Sequence, residues 1–254
     1  MDTQWLENLK ENLPNYLHSL NKGDYKFLPV MTGLTPKGEA LNLGFSCYAL
    51  KIYYITNQWD NLTEEEKKSW LNFINSFQTK SKELPINSFV DQDYVTSYLE
   101  TPFLKKIKNL IKFILNKTFN KKYILDSERL VNSIRAESKQ SISTLFQGES
   151  FNKLPYLEFA QSKEEIMSYL KALDWTKPWN AGAQFSALCV FVETQITSKS
   201  LKKELITTLE DFVISISHSD TGLFYSGKKP SDMELVNGAM KIITGLDWIN
   251  INPP

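Results

Sequence analysis

Glycine and proline are scarce in this chain, with 10 of each among 254 residues. Strands need turns at short intervals, and segments of alternating apolar and polar residues between turn residues are equally rare. Apolar residues at i, i+3, i+4 and i+7 are instead frequent, which is the pattern of helices with one buried face. The sequence therefore predicts an all-α protein, and its length fits a single domain over residues 1–254.

Cysteine and histidine are also scarce, with Cys47, Cys189, His18 and His218 the full set. Four such residues far apart in the sequence do not make a zinc site, and both cysteines lie in apolar helical patterns. We therefore expect buried free thiols and no disulfide. The chain also lacks a Gly-rich phosphate loop, a nucleophile elbow and a helix with two metal-binding histidines. We expect no cofactor and no metal, with an ion bound by carboxylates as the alternative, and nucleotide-driven and Rossmann redox chemistry are disfavoured.

Neither sign of charge is in excess, because Lys plus Arg and Asp plus Glu each number 29. A neutral molecule has no net field to attract nucleic acid, which we do not expect as a partner. The most basic stretch, residues 103–123, places lysines beside an apolar stripe. We favour a helix that packs this stripe on the core, and contact with a membrane surface is the alternative. No apolar run reaches the ~18 residues of a membrane span or resembles a signal peptide, so we expect a soluble, cytoplasmic protein.

Helix starts are marked three times by a hydroxyl residue with a glutamate three positions later. These pairs are Thr63 with Glu66, Ser162 with Glu165, and Ser231 with Glu234. In such a capping box the hydroxyl and the carboxylate each accept a hydrogen bond from a backbone amide that the helix leaves unpaired. We expect a helix to begin at each of the three.

An internal similarity indicates a repeated unit. The stretches "LNLGFSCYALKIYYI" (41–55) and "WNAGAQFSALCVFVE" (179–193) share Asn-x-Gly, a later Ala-Leu and an apolar stripe. A weaker copy is "LVNGAMKIITGLDWI" (235–249), and "IRAESKQSISTL" (134–145) falls where a further copy would start. A second apolar helix follows the first two copies, at 70–78 and 209–217, so the unit is a helical hairpin. Gly44, Gly182 and Gly238 would allow close helix packing, and stacked hairpins of this kind predict an α/α toroid or closed solenoid.

At these residues the chain resembles the helical toroid proteins, which include terpenoid cyclases, protein prenyltransferase β subunits and six-hairpin glycosidases. The segments "SFQ" (76–78) and "DTGLFY" (220–225) are similar to the turns between cyclase repeats. The chain lacks the Asp-x-Asp-Asp motif of protonating cyclases and a matching Asp, Cys and His set for zinc. The resemblance therefore implies a fold and disfavours class II terpene cyclase and zinc prenyltransferase activities.

A toroid of this type is expected to hold its pocket at the N-terminal ends of the inner helices. Two carboxylates there can act as general acid and base, and Glu137 with Glu39 or Glu234 is our candidate catalytic pair. Candidate ligand-binding residues, from the same ends and from the loop at 214–231, are Arg135, Gln140, Trp175, Trp179, Asn180, Gln184, Tyr225 and Asn237.

Each of these residues also has a structural interpretation. Glu234 completes a capping box, Asn180 and Asn237 cap helices, and Trp179 anchors a turn. Arg135 binds an anionic group or pairs with a nearby carboxylate. His218 in its loop is catalytic or simply solvated.

The resulting functional hypothesis is a pocket protein that binds or processes a carbohydrate or a polyprenyl-linked glycan. It requires one cavity shared by Glu39, Glu137, Trp179, Gln184 and Asn237. One alternative is a non-catalytic helical repeat module that holds a partner protein through an exposed apolar patch. Another is an isoprenoid enzyme that lacks the usual acid motif. Fold alone does not choose among them.

Overall fold

The computed structural model of the chain describes residues 4–81, 83–99, 102–119 and 123–254. These residues are mostly helical, which confirms the all-α prediction. The chain divides into two compact units, residues 1–154 and 155–254. Each unit is described by itself below, and a single domain over 1–254 stays a prediction.

The first unit contains seven helices among its described residues. They are α1 (Gln4–Leu20), α2 (Pro36–Ala40), α3 (Leu43–Ile55), α4 (Glu64–Asn75), α5 (Gln92–Leu99), α6 (Phe103–Phe119) and α7 (Asp126–Gln147), with a short 3-10 turn at Trp59–Asn61. The capping box predicted at Thr63 is confirmed, because its hydroxyl accepts from Glu66 N–H and the Glu66 carboxylate accepts from Thr63 N–H.

The core of the first unit is built around Trp70 of α4, which is buried. The rings of Tyr25 and Phe27 stack on Trp70, and Tyr53 and Trp59 approach it edge-on or tilted. Its indole N–H donates to Ser46 Oγ at 2.9 Å, so the polar atom of this ring is satisfied. Aromatic packing around one satisfied indole fixes α4 against α3.

Helices α3 and α7 pack along each other and run in the same direction. Gly44 faces Glu137 near the start of α3, Cys47 contacts Ser141 one turn later, and Lys51 contacts Ser143 further along. Residue numbers increase along both helices from one contact to the next, so the two helices are parallel. This parallel pair positions most of the polar residues discussed below.

The second unit contains four helices and one small hairpin. They are α8 (Lys163–Ala172), α9 (Pro178–Gln195), α10 (Lys199–Ile216), β1 (Ser217–His218), β2 (Leu223–Phe224) and α11 (Asp232–Trp248). Helix α9 is apolar on nearly all sides and buries most of its length, as a central helix does. Both predicted free thiols, Cys47 and Cys189, are buried and unbridged.

Glycines let α9 and α11 approach very closely. A Cβ built on Gly238 would lie 2.6 Å from Pro178 Cβ, and one on Gly182 would lie 3.0 Å from the Gly238 carbonyl oxygen. One on Gly245 would lie 3.0 Å from Ser186 Cα. These contacts also advance together, so α9 and α11 are parallel, as α3 and α7 are. Gly44 differs, because a Cβ there would make only an ordinary contact at 3.6 Å.

Of the other expected helix starts, two are correct and two are wrong. Ser162 and Ser231 do cap α8 and α11, each accepting from the N–H group three residues on. Asn180 and Asn237 are not caps, because α9 begins at Pro178 after Lys177 and α11 begins after Ser231.

The loop-like segment 214–231 holds the hairpin β1–β2, whose turn contains Gly222 at φ +65°. A left-handed residue at this point is what a tight turn needs.

Helix α6 contradicts the favoured interpretation of the basic stretch. None of its residues is buried, and all its apolar side chains except the half-buried Leu115 are exposed. The expectation that this stripe packs on the core is therefore wrong for residues 103–119; residues 120–122 of the stretch lie outside the described chain. Among the described residues, no helix is both long enough and apolar enough to cross a membrane.

Candidate functional site

The interface between α3 and α7 is unusually polar for a helix contact. The fully or almost fully buried polar residues of these two helices are Ser46, Ser138, Ser141, Ser143 and Thr144. Each of these hydroxyls has a hydrogen-bond partner; Thr144 Oγ1, for example, donates to the Gln140 carbonyl at 2.7 Å. Small hydroxyl residues let the two helices approach while leaving polar groups at the contact.

Asp91 anchors one end of this interface. Its Oδ2 accepts from Asn42 N–H at 2.7 Å and from Leu43 N–H at 3.0 Å, and its Oδ1 accepts from Asp93 N–H at 3.2 Å. The carboxylate therefore pairs with the free amides at the starts of both α3 and α5, and it is 4% exposed. A negative charge at two helix N-termini is electrostatically favourable, which explains why it tolerates burial.

Glu137 of α7 lies beside Asp91. Burial raises the pKa of the Glu137 carboxyl to about 7, and the negative charge of Asp91 acts in the same direction. A hydrogen bond from the Asp91 backbone N–H opposes part of the shift. The carboxyl that neighbours Glu137 is thus Asp91, which sequence reasoning missed.

Three polar atoms at this end have no hydrogen-bond partner among the described residues. They are Glu137 Oε2, Asn42 Oδ1 and Gln140 Nε2, and each is buried. Asn42 uses its other amide atom, because Nδ2 donates to the Ala40 carbonyl at 2.6 Å. Gln140 lies one turn after Glu137 and so on the same face of α7. Buried polar atoms are normally satisfied, so this end of the interface has unused binding capacity.

Further along the same interface, Lys51 Nζ donates to Ser143 Oγ at 2.8 Å. Burial lowers the pKa of the Lys51 amine to about 8, and the nearby positive charge of Lys139 adds to this. Burial also raises the pKa of the Cys47 thiol to about 12, so this cysteine stays a thiol at neutral pH. A thiol in that state is a poor nucleophile.

An open polar cleft of about 310 Å³ lies where α3 and α7 end. Tyr54 from α3, Asp60 from the 3-10 turn, and Glu64, Lys67 and Asn72 from α4 line one part of it. Gln147 to Ser150, the end of α7 and the turn after it, line the rest. The Oε1 atom of Gln147 is buried and has no partner among the described residues.

The turn that ends α7 holds Glu149 in a strained conformation. Ser150 N–H donates to the Leu145 carbonyl and Glu149 N–H to the Phe146 carbonyl, the pattern of a Schellman motif. Glycine is the usual residue at the left-handed position of this motif, yet Glu149 adopts it at φ +58°. Gly148 before it is held tightly, since an added Cβ would lie 2.7 Å from Leu71 Cδ2. A strained acidic residue at a cleft is an observation that motivates a functional hypothesis.

A second cleft, of about 410 Å³, lies at the start of α7. It is lined by Ile124, Ser127, Glu128, Val131 and Asn132. Fewer polar groups meet there than in the first cleft, so it is the weaker candidate for a polar ligand. Among the described residues, no three His, Cys, Asp or Glu side chains are grouped as metal ligands would be.

The predicted site residues divide between the two units. Glu39, Arg135, Glu137 and Gln140 belong to the first, and Trp175, Trp179, Asn180, Gln184, Tyr225, Glu234 and Asn237 belong to the second. One cavity shared across this set therefore stays a prediction. Glu39 is exposed on α2, where its carbonyl accepts from Lys22 Nζ, and Arg135 Nη1 donates to Asn132 Oδ1 at 3.4 Å.

In the second unit, two of the predicted site residues link helix starts. Glu234 Oε2 accepts from Trp179 N–H at 3.1 Å, so this carboxylate caps the start of α9 from α11. Trp179 itself is 41% exposed. The pair holds α9 and α11 together at their N-terminal ends, beside the Gly238 contact.

Three more of the predicted residues in this unit have structural partners. Trp175 is buried against Phe212, and its indole N–H donates to the Leu170 carbonyl at 2.8 Å. Gln184 Oε1 accepts from Tyr169 Oη–H at 3.0 Å, and Asn237 Nδ2 donates to the Met233 carbonyl at 2.8 Å. Asn180 is exposed.

The rings of His218 and Tyr225 stack, with centroids 3.8 Å apart. His218 is half-buried in this stack, and its Nε2 lies 3.2 Å from the Tyr225 carbonyl oxygen. The residue is therefore packed within its hairpin rather than simply solvated.

In comparisons with protein-family models, with curated proteins and with solved structures, nothing matches this chain. The functional argument therefore rests on the geometry of the described residues alone.

Proposed function

We propose that the protein binds a carbohydrate, or the glycan part of a polyprenyl-linked glycan, in the cleft at the ends of α3 and α7. The observation that carries the proposal is the lining of this 310 Å³ cleft. It combines carboxylates, amides and ammonium groups beside the exposed ring of Tyr54. Its volume is at the lower end of the roughly 300–1,000 Å³ of small-ligand sites.

A sugar ring presents hydroxyls that donate and accept, together with one less polar face. Gln147 Oε1 is an acceptor with no partner among the described residues. Asn72 can donate and accept, and Asp60 and Glu149 are acceptors at the rim. The side-chain amide of Asn75 already has partners, because it donates to the Phe151 carbonyl and accepts from Lys153 N–H. The ligand would thus meet Gln147, Asn72 and the two acids.

Glu137 belongs to a different part of the interface. Ten residues of α7 separate it from Gln147, or about 15 Å at about 1.5 Å per residue. An acid–base role for Glu137 would therefore concern a ligand at the other end of the interface. The carbohydrate proposal does not require it.

The closed toroid also belongs to this proposal. Its support is the parallel arrangement of α3 with α7 and of α9 with α11, since inner helices of stacked hairpins run parallel. These four helices carry the four similar stretches of the sequence. Helices α4 and α10 would then be the second, outer helices of their hairpins.

A second candidate function is the helical repeat module that holds a partner protein. The observation in its favour is an exposed apolar stripe along α11, formed by Met233, Val236, Met240 and Ile243. Residues at this spacing lie on one face of a helix. Substituting Val236 by Asp would then abolish capture of a partner without unfolding the chain.

The carbohydrate proposal is tested by a thermal-shift and calorimetric titration of the full chain against mono- and oligosaccharides. A ligand that binds the native state raises the melting midpoint by mass action. We expect a rise for the intact chain and at least about tenfold weaker binding for Gln147→Ala, since one hydrogen bond to a ligand is worth about 1.4 kcal/mol when its loss leaves a buried partner.

Glu137→Gln is the matched control, because it changes a glutamate on the same helix outside the cleft. Its affinity for the same sugar should equal that of the intact chain. Equal loss in both variants would move the site to the Glu137 end of the interface. Absence of binding to every sugar would overturn the proposal and favour the interaction module.

A further inference from the structure

Helix α6 combines a strong positive charge with exposed apolar side chains. Its 17 residues contain five lysines, at 105, 106, 108, 112 and 117, and no acid. The whole chain is neutral, so this charge is a local concentration. Phe103 and Leu104 are 75% and 73% exposed, and six further large apolar side chains of the helix are also exposed.

Six of the nine apolar side chains of α6 share one face of the helix. At about 100° per residue, an arc of about 120° contains Phe103, Leu104, Ile107, Leu110, Ile111 and Ile114. Lys106 and Lys117 border this arc on one side, and Lys108 borders it on the other. We call these six apolar residues the α6 face.

Polar side chains on the opposite side of α6 contact residues 123–126. Asn109 Oδ1 accepts from Asp126 N–H at 2.9 Å, and Asn116 bonds both N–H and carbonyl of Tyr123 at 2.8 Å. Lys112, between them on the same side, reaches the Ile124 carbonyl. The helix is thus held by polar contacts and presents its apolar face to solvent, the reverse of a helix that packs on a core.

We propose that α6 docks the protein on membranes that contain anionic phospholipid, lying parallel to the surface with the α6 face among the headgroups. Charge complementarity selects this occupant, because the bordering lysines would meet lipid phosphates while their stems follow the apolar face. An apolar protein groove would leave those lysines without partners. The proposal is independent of the carbohydrate site.

The test is sedimentation of the full chain with vesicles. One set is phosphatidylcholine alone, and the other contains about 30% phosphatidylserine. We expect binding to the anionic set at low salt, with at least about tenfold weaker binding to the neutral set and a decrease as salt screens the charges.

Two variants separate the two contributions. Replacing Lys106, Lys108 and Lys117 by Gln should weaken binding to anionic vesicles roughly 100-fold, since each lysine near such a surface contributes about fivefold. Ile107→Asp with Ile114→Asp should abolish binding to both sets. The matched control replaces Lys163, Lys171 and Lys203, exposed lysines of the second unit, by Gln and should bind as the intact chain does. Circular dichroism spectra verify that each variant is folded.

A site-specific label supplies an independent readout. Cys47 and Cys189 are buried, so a fluorophore on Leu110→Cys labels the α6 face selectively. Its emission should shift to the blue with anionic vesicles, and a label on Lys203→Cys should not respond.

Three outcomes would overturn the proposal. They are absence of sedimentation with either vesicle set, equal loss in the lysine control, and self-association of the chain that Ile107→Asp removes without any vesicle binding. The last would assign the α6 face to a second copy of the chain. Failure of sugar binding in the first cleft would leave the proposal unaffected.

Discussion

At the scale of single residues, Asp91 and Glu137 show how one buried acid changes its neighbour. Asp91 has three backbone amides as partners, so its charge is stabilised in place. Glu137 has fewer partners and lies beside that charge, so its own ionisation is opposed. Two carboxyl groups in one environment thus acquire different roles, one structural and one able to titrate near neutral pH.

Glu137 should make the stability of the protein fall as the pH rises from about 4.5 to about 7. The pKa of its carboxyl is 4.5 ordinarily and about 7 in the folded chain. The native state therefore holds a proton that the unfolded chain has lost in this window, and stability decreases with pH there. Glu137→Gln removes this loss, so urea unfolding at pH 8 should find the variant more stable by up to about 3 kcal/mol.

At pH 4 the same variant and the intact chain should differ by less than about 1 kcal/mol, because both side chains are then neutral. Glu204→Gln, an exposed glutamate of α10, should give equal stability differences at both pH values. A Glu137→Gln difference that does not change with pH would contradict the raised pKa.

Glu149 should be replaceable by glycine with a gain in stability. Its φ of +58° lies in the left-handed region, which costs a side-chain-bearing residue roughly 1 kcal/mol and glycine nothing. We expect Glu149→Gly to raise the free energy of unfolding by about 0.5–1 kcal/mol in urea titrations. If Glu149 also contacts the sugar, the same variant should bind it less tightly.

Asn57 provides the matched comparison, because it has a similar φ of +59° shortly after α3. Asparagine tolerates this conformation better than glutamate does, so Asn57→Gly should change stability by less than about 0.5 kcal/mol. A gain of equal size at both positions would mean that Glu149 has no special strain.

The candidate site could be predicted from the sequence only in part. The prediction of Glu137 and Gln140 rests on an inner helix expected to start near residue 134, whereas α7 begins at Asp126 and both residues lie in its middle. Each still has a buried atom without a partner among the described residues. Asp91 has a local signal, since an acid before a helix is a common cap, but its contact with Asn42 spans 49 residues. No local pattern reports contacts of that kind. Asp60, Asn72 and Glu149 were missed for the same reason.

At the scale of whole elements, periodicity identified the helices and did not identify their surroundings. Helices α3 and α9 form within the expected stretches and each contributes buried residues, whereas α6 has the strongest amphipathic pattern and buries none. A stripe of apolar residues shows only that one face avoids water. Whether core, lipid or another protein covers that face depends on tertiary contacts and partners that the pattern does not contain.

The close approach of α9 and α11 should make Gly238→Ala strongly destabilising. Its added Cβ would lie 2.6 Å from Pro178 Cβ and 2.9 Å from the Pro178 carbonyl carbon, so backbone must move. Overpacking of this kind costs about 1–3 kcal/mol, more than the helix propensity that alanine adds. Urea unfolding followed by circular dichroism measures the loss.

Thr244→Ala is the control on the same helix, because Thr244 is exposed and gains propensity without a packing cost. It should change the free energy of unfolding by less than about 0.5 kcal/mol. Equal stability of Gly238→Ala and the intact chain would mean that α9 and α11 are further apart than described.

At the scale of the whole molecule, the sequence predicts one domain, and the structure divides the chain into two compact units. The principal apolar core of the second unit runs from Ile166 to Ile249 and is entirely its own. Length and composition could not anticipate this, because about 250 residues fit either one large domain or two smaller ones. The internal similarity favoured one domain, since similar hairpins were expected to share one ring.

A fragment of residues 155–254 should therefore fold on its own. The buried cluster from Ile166 to Ile249 lies within this fragment, and about 100 residues suffice for an independent domain. We expect helical circular dichroism, a cooperative melt and dispersed amide resonances, with Gly238→Ala lowering its melting midpoint as in the full chain. The same fragment with Thr244→Ala should melt like the unmodified fragment. A broad, non-cooperative melt would instead mean that the second unit needs the first to fold, and the single domain over residues 1–254 would then be the better interpretation.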